Sequence, residues 1–133
     1  MRLTPLTGRG LAFAPVGLLA LALAMAGPAW AGDAAAGRSV FNAQCAMCHT
    51  VAVGGPNLLG PNLHGVVGRV AGAMKGYAYS PAMKATGLVW TPEKLAAYLQ
   101  APSAVVPGNK MPYAGLRPAQ KVEDLIAYLE TQK

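Results

Sequence analysis

The feature that most constrains this chain is Cys45-Ala46-Met47-Cys48-His49-Thr50. Two cysteines three positions apart, with histidine directly after, form the pattern for covalent attachment of a c-type haem. At a helix end such thiols lie on one side, where both can add to vinyl groups along one ring edge. The next residue, His49, then reaches the iron. Both cysteines of the chain belong to this motif, so no structural disulfide remains available. A disulfide between Cys45 and Cys48 is the competing reading for an exported chain. The adjacent His49, and the lack of a strand–turn–helix setting, argue against it. Zinc is weaker still, because only His49 and His64 could complete a four-ligand set.

The first 31 residues do not read as part of a folded domain. Arg2 and Arg9 precede an uncharged apolar run from Leu11 to Ala26, and Ala29-Trp30-Ala31 offers a small-x-small cleavage site. This pattern predicts a secretory signal peptide cleaved after Ala31, with a periplasmic destination; retention as a membrane tether is the alternative. Residues 32–133 form the expected domain. They hold nine of the eleven Lys and Arg and all five Asp and Glu, a formal charge of +4. That mild basicity suits an acidic protein partner or anionic surface. Without any basic run it does not point to nucleic acid.

Along residues 32–133, Asp33 is a fitting N-cap for a helix from about Ala34 to Gln44, which delivers the cysteines at its end. Gly37 and Phe41 share one face, and a missing side chain beside a large ring predicts a closely crossing helix. Val51 to Gly76 is loop, rich in Gly, Pro and Asn, and a loop this long implies a second body to wrap. Ser80-Pro81 followed by Gly87 predicts one or two helical turns. Thr91-Pro92 starts another helix that Pro102 stops. Ala101 to Gly115 reads as loop, and the last helix runs from about Pro118 to Thr131 with Val122, Leu125, Ile126 and Leu129 on its apolar face. Few large aliphatics serve a domain of this size, and a buried ring would supply the missing apolar volume. The fold class is therefore all-α: three main helices, a short one and long loops around one haem.

The iron's second axial position could be filled by Met74, Met83, Met111 or His64; Met47, inside the motif, cannot swing across the ring. Met111 stands in Pro107-Gly108-Asn109-Lys110-Met111-Pro112-Tyr113-Ala114-Gly115. Prolines on both sides restrict φ and the glycines permit tight turns, so this loop can hold one side chain in place.

From Gly37 onward the chain resembles class I cytochrome c, both the mitochondrial protein and the bacterial cytochromes c2. The matching blocks are Cys45–Thr50, Gly60-Pro61-Asn62-Leu63-His64-Gly65, Gly68-Arg69, Tyr79, Trp90, Tyr98-Leu99, Pro102, Pro107-Gly108, Lys110-Met111, Ala114-Gly115 and Glu123–Leu129. The resemblance implies thioether bonds from Cys45 and Cys48 to one haem c, and axial bonds from His49 and Met111. It gives Pro61 a carbonyl bonded to the other ring nitrogen of His49. Arg69, Tyr79 and Trp90 would serve the haem propionates, and Tyr98 would lie beside the Met111 sulfur. Asn109 stands where threonine is usual near a propionate and is expected to keep that bond. Met83 replaces a usual asparagine, Asn57 a loop-bridging histidine, and Tyr113 an aromatic at the haem edge. Gln44, Ser103 and Ala104 are neutral where relatives place lysines.

The implied function is single-electron transfer by a monomer that meets membrane redox complexes in turn. The candidates are a quinol-oxidising complex as donor and an oxidase or photosynthetic reaction centre as acceptor. Methionine ligation raises the potential, and two filled axial positions leave no site for substrate. The alternatives are a peroxidase-like haem enzyme with a labile sixth ligand, a ligand sensor, or a thiol exchanger without haem.

Overall fold

Asp33 caps the first helix as the sequence predicts. Its carboxylate accepts from the N–H groups of Ala35 (2.8 Å) and Ala36 (3.2 Å), capping α1 (Ala34–Gln44) and satisfying donors that a helix leaves open at its start. The structure, a computed structural model, describes residues 31–133. The expected signal segment, apart from Ala31, lies outside the described residues. The described helices continue with α2 (Pro81–Ala85), α3 (Pro92–Gln100), α4 (Pro102–Val105) and α5 (Ala119–Glu130). Ser80 and Thr91 cap α2 and α3 through side-chain oxygens that accept from Met83 N–H (3.1 Å) and Lys94 N–H (3.3 Å). Proline follows each as the first helical residue, where its missing N–H costs nothing.

α5 is the spine of the core. Val122, Leu125, Ile126 and Leu129 are all buried on one face, and burying each stabilises the fold by about 1.5–3 kcal/mol relative to exposure. α1 crosses this helix closely, and Gly37 is the reason it can. A Cβ on Gly37 would lie 1.8 Å from the Asp124 carbonyl oxygen, so any side chain would force the helices apart. One turn on, Phe41 packs its ring against Tyr128 with centroids 5.7 Å apart. Asp124 is buried but not unpaired: its Oδ1 accepts from Asp33 N–H (2.9 Å) and from Gln120 Nε2 (3.0 Å).

Two features depart from the sequence expectation. α4 forms inside the stretch read as loop, because Pro102 both ends α3 and serves as the first residue of another turn. An isolated antiparallel bridge also pairs Val70 with Val89. Gly68 N–H to Trp90 O (2.8 Å) and Trp90 N–H to Arg69 O (2.9 Å) extend the contact. It fixes Arg69 next to Trp90, far apart in sequence. Among the described residues no helix is long and apolar enough to cross a membrane.

Candidate haem-binding site

The helices and loops enclose a cavity of about 380 Å³, lined mainly by apolar side chains, within the size range of cofactor pockets. All ten residues expected at the site line it: Cys45, Cys48, His49 and Pro61 from the first part of the chain, Arg69, Tyr79, Trp90 and Tyr98 from the middle, and Asn109 and Met111 from the late loop. Of the other candidate ligands, buried Met83 on α2 also lines it. Met47 is 86% exposed, and neither it nor Met74 nor His64 is among the lining residues.

His49 is held by one bond and one gap. Its Nδ1 lies 2.7 Å from the Pro61 carbonyl oxygen. A carbonyl only accepts, so Nδ1 carries the proton and donates, leaving Nε2 as a free lone pair. Burial lowers the imidazole pKa, with the Pro61 bond opposing, which favours this neutral form. The ring lies flat against Gly60, where a Cβ would stand 2.2 Å from His49 Cε1. Gly60 is needed for this close approach and not for an unusual backbone angle.

Both cysteines are free thiols at the end of α1. Burial, reinforced by neighbouring Cys48, pushes the Cys45 thiol up to about 11. A thiol exchanger needs the opposite, a depressed value that populates thiolate.

The late loop is anchored through Asn109. Its Oδ1 accepts from Met111 N–H (2.8 Å) and its Nδ2 donates to Val106 O (2.9 Å). The side chain thus fixes the backbone of Met111, with one amide hydrogen left over. Tyr113 on the same loop donates from its hydroxyl to Gln44 Oε1 on α1 (3.2 Å). Tyr98 packs against Trp90 with the rings tilted and their centroids 4.9 Å apart, and burial pushes its phenol up to about 12. Arg69 donates from Nη1 to His64 O and from Nη2 to Asn62 O, both 3.1 Å. Burial lowers its pKa, partly offset by Tyr79, yet a guanidinium remains charged. Tyr79 is raised by burial and accepts from Met74 N–H at 3.3 Å.

Sequence reasoning missed Asn62, the hub of the long loop. Its Nδ2 donates to Thr50 Oγ1 (2.7 Å) and Ala52 O (2.9 Å), and its Oδ1 accepts from His64 N–H (2.8 Å). An asparagine between Pro61 and Leu63 was the available signal, but periodicity is blind to it. Asn57 bridges two loops, donating to Lys75 O (3.1 Å) and accepting from Asn62 N–H (2.8 Å).

The family model for cytochrome c matches residues 34–133. The chain belongs to the cytochrome c family. It is 47% identical to cytochrome c2 of Blastochloris viridis over 86% of this chain and 88% of that protein. It is 48% identical to cytochrome c2 of Rhodopila globiformis over 80% of this chain and all of that one. Its fold is similar to the solved structure of cytochrome cH from Methylobacterium extorquens, with a TM-score of 0.71, 46% identity, and coverage of 75% and 99% of the two chains. As a cytochrome c it is an electron-transfer protein and not an enzyme. Family membership implies a covalently held haem c. The residues present fit such a group: two free thiols, an imidazole with its Nε2 unengaged, and an apolar cavity that they all line.

Proposed function

We propose that residues 32–133, released by cleavage after Ala31, act as a soluble periplasmic carrier of single electrons between membrane redox complexes. Cys45 and Cys48 would form the thioether bonds, and His49 Nε2 and Met111 would be the axial ligands. The observation that carries this reading is the assembly of one cavity from the attachment motif and the Met111 loop, with His49 already tied to Pro61. When bound, the group supplies reversible one-electron exchange between ferric and ferrous iron.

The chain's own residues do the rest. The Pro61 carbonyl holds the imidazole in one tautomer and makes it a better donor. Asn109 fixes the backbone from which the Met111 sulfur projects. Arg69, with Tyr79, Trp90 and the remaining Asn109 amide hydrogen, would balance the charge of the propionates. The apolar lining excludes water and favours the less charged ferrous state. Rigid ligands on both sides keep rearrangement small. Partners would be a quinol-oxidising complex and an oxidase or photosynthetic reaction centre, met briefly by a monomer.

The test is the far-red charge-transfer band of methionine-ligated ferric haem in the purified protein. It is expected in the wild type and absent in Met111→Ala, while Met83→Ala retains it. A band that survives in Met111→Ala, or disappears in Met83→Ala, refutes the assignment. The mass of the mature protein checks the rest: a chain starting at Gly32 plus one haem.

A further inference from the structure

Met111 is anchored first within its own turn. Its N–H donates to Asn109 Oδ1 (2.8 Å), and Asn109 Nδ2 donates to Val106 O (2.9 Å). Tyr113 N–H then donates to Met111 O (2.9 Å), so the two residues move together. The backbone is tied to α3 at Leu116, whose N–H donates to Leu99 O (2.8 Å). Pro112 and Ala114, on either side of Tyr113, are exposed. A stretch bonded mainly to itself and open to solvent is the kind that swings away as a unit.

Tyr113 reaches out of this stretch. Its hydroxyl donates to Gln44 Oε1 (3.2 Å), 69 positions away in the chain. Glutamine offers the carbonyl acceptor that a phenol hydroxyl needs. Gln44 is the last residue of α1, on a firmly bonded helix end: Cys45 and Ala46 N–H both donate to Phe41 O (2.8 and 3.0 Å). Gln44, Cys45, Met111 and Tyr113 all line the cavity. The bond therefore joins the helix end that carries the thiols to the loop that carries Met111.

We infer that Tyr113 and Gln44 are positioning residues, whose hydrogen bond clasps the Met111 loop to α1 and sets how readily another ligand displaces Met111. The inference rests on the proposed ligation by Met111. Cys45 and Cys48 would be tied to the haem covalently, so α1 stays with it. The loop would have one coordinate bond and its own turn. Any departure of the sulfur then begins with residues 109–113 moving away from α1, and the clasp opposes that movement without touching the iron. One ordinary hydrogen bond corresponds to about fivefold in an equilibrium constant. Because the pair is exposed, its effect is graded and not all-or-none.

The test titrates imidazole into the ferric, haem-loaded protein and follows loss of the far-red band. Tyr113→Phe keeps the ring and removes the hydroxyl; Gln44→Leu keeps the bulk and removes the acceptor. Each should bind imidazole about fivefold more tightly than wild type. The double variant should bind no more tightly than either, since both changes break the same bond. Amide exchange in α5 should be unchanged throughout. Wild-type affinity in either single variant overturns the clasp. So does a double variant showing the product of the two effects, about 25-fold, because each side chain would then act separately. Faster exchange in α5 would mean general loosening and would overturn it too. If the wild type shows no far-red band before imidazole is added, ligation by Met111 fails, and the clasp with it.

Discussion

Replacing Gly60 by alanine isolates the geometry that holds His49. The added methyl would stand 2.2 Å from Cε1 and 2.6 Å from Nδ1 of the imidazole. Carbon atoms pack at about 3.5–4.0 Å, so ring and loop must separate by roughly 1.3 Å or more. That displacement breaks the 2.7 Å contact between Nδ1 and Pro61 O. The lost hydrogen bond costs about 1 kcal/mol and the overpacking about 1–3 kcal/mol. Together about 3 kcal/mol is at stake, which lowers Tm by about 10–20 °C for a domain of this size. Gly54→Ala is the matched control: its φ of 66° disfavours a side chain, but nothing lies within 4 Å of the new Cβ. That change costs only about 1 kcal/mol. Thermal denaturation of the two haem-loaded variants, read at the Soret band, makes the comparison. If Gly60→Ala melts no lower than Gly54→Ala, close packing of His49 on Gly60 is not what positions the ring.

Gly37→Ala places a methyl 1.8 Å from the Asp124 carbonyl oxygen; separating α1 from α5 should cost at least about 3 kcal/mol and sharply reduce the yield of folded protein on expression. Asn62→Ala removes three side-chain hydrogen bonds at about 1 kcal/mol each, and amide exchange at His64 should accelerate while exchange within α5 stays slow. Tyr79 gives a pH signature. Its folded pKa is raised by burial, so its contribution is intact below the ordinary tyrosine value of about 10. It declines as pH rises from there through the raised value, because the unfolded chain releases the proton first. Urea denaturation should therefore show wild type losing more stability than Tyr79→Phe between neutral and strongly alkaline pH; parallel losses would count against it.

Much of this was legible in the residues because local chemistry and global fold agree. Asp33, Ser80 and Thr91 predicted three helix starts, and each caps its helix as expected. The apolar spacing of Val122, Leu125, Ile126 and Leu129 predicted the buried face of α5. Gly37 beside Phe41 predicted the close crossing. What escaped notice has no period to detect. α4 is a single turn, and Pro102 carries the same letter whether it stops one helix or starts the next. Asn62 works through backbone carbonyls, which any loop residue possesses, so its partners exist only once the loop has closed. The bonds of Asn109 to Val106 O and Met111 N–H likewise exist only once its own turn has formed.

The crossing of α1 and α5 also governs how the loops between them come to be ordered. Gly37 and Asp124 close a ring of nearly the whole described chain, and Asp33 N–H bonded to Asp124 Oδ1 seals it one turn earlier. Bringing together ends so distant costs about 4 kcal/mol of chain entropy, met in a single event. Each loop then spans only part of a closed circle, the longest of them between α1 and α2. Neither helix is then an expendable end. Removing α1 through Gly37, or α5 from Asp124 onward, would open the circle, and with it the frame on which His49 and Met111 are brought to one cavity.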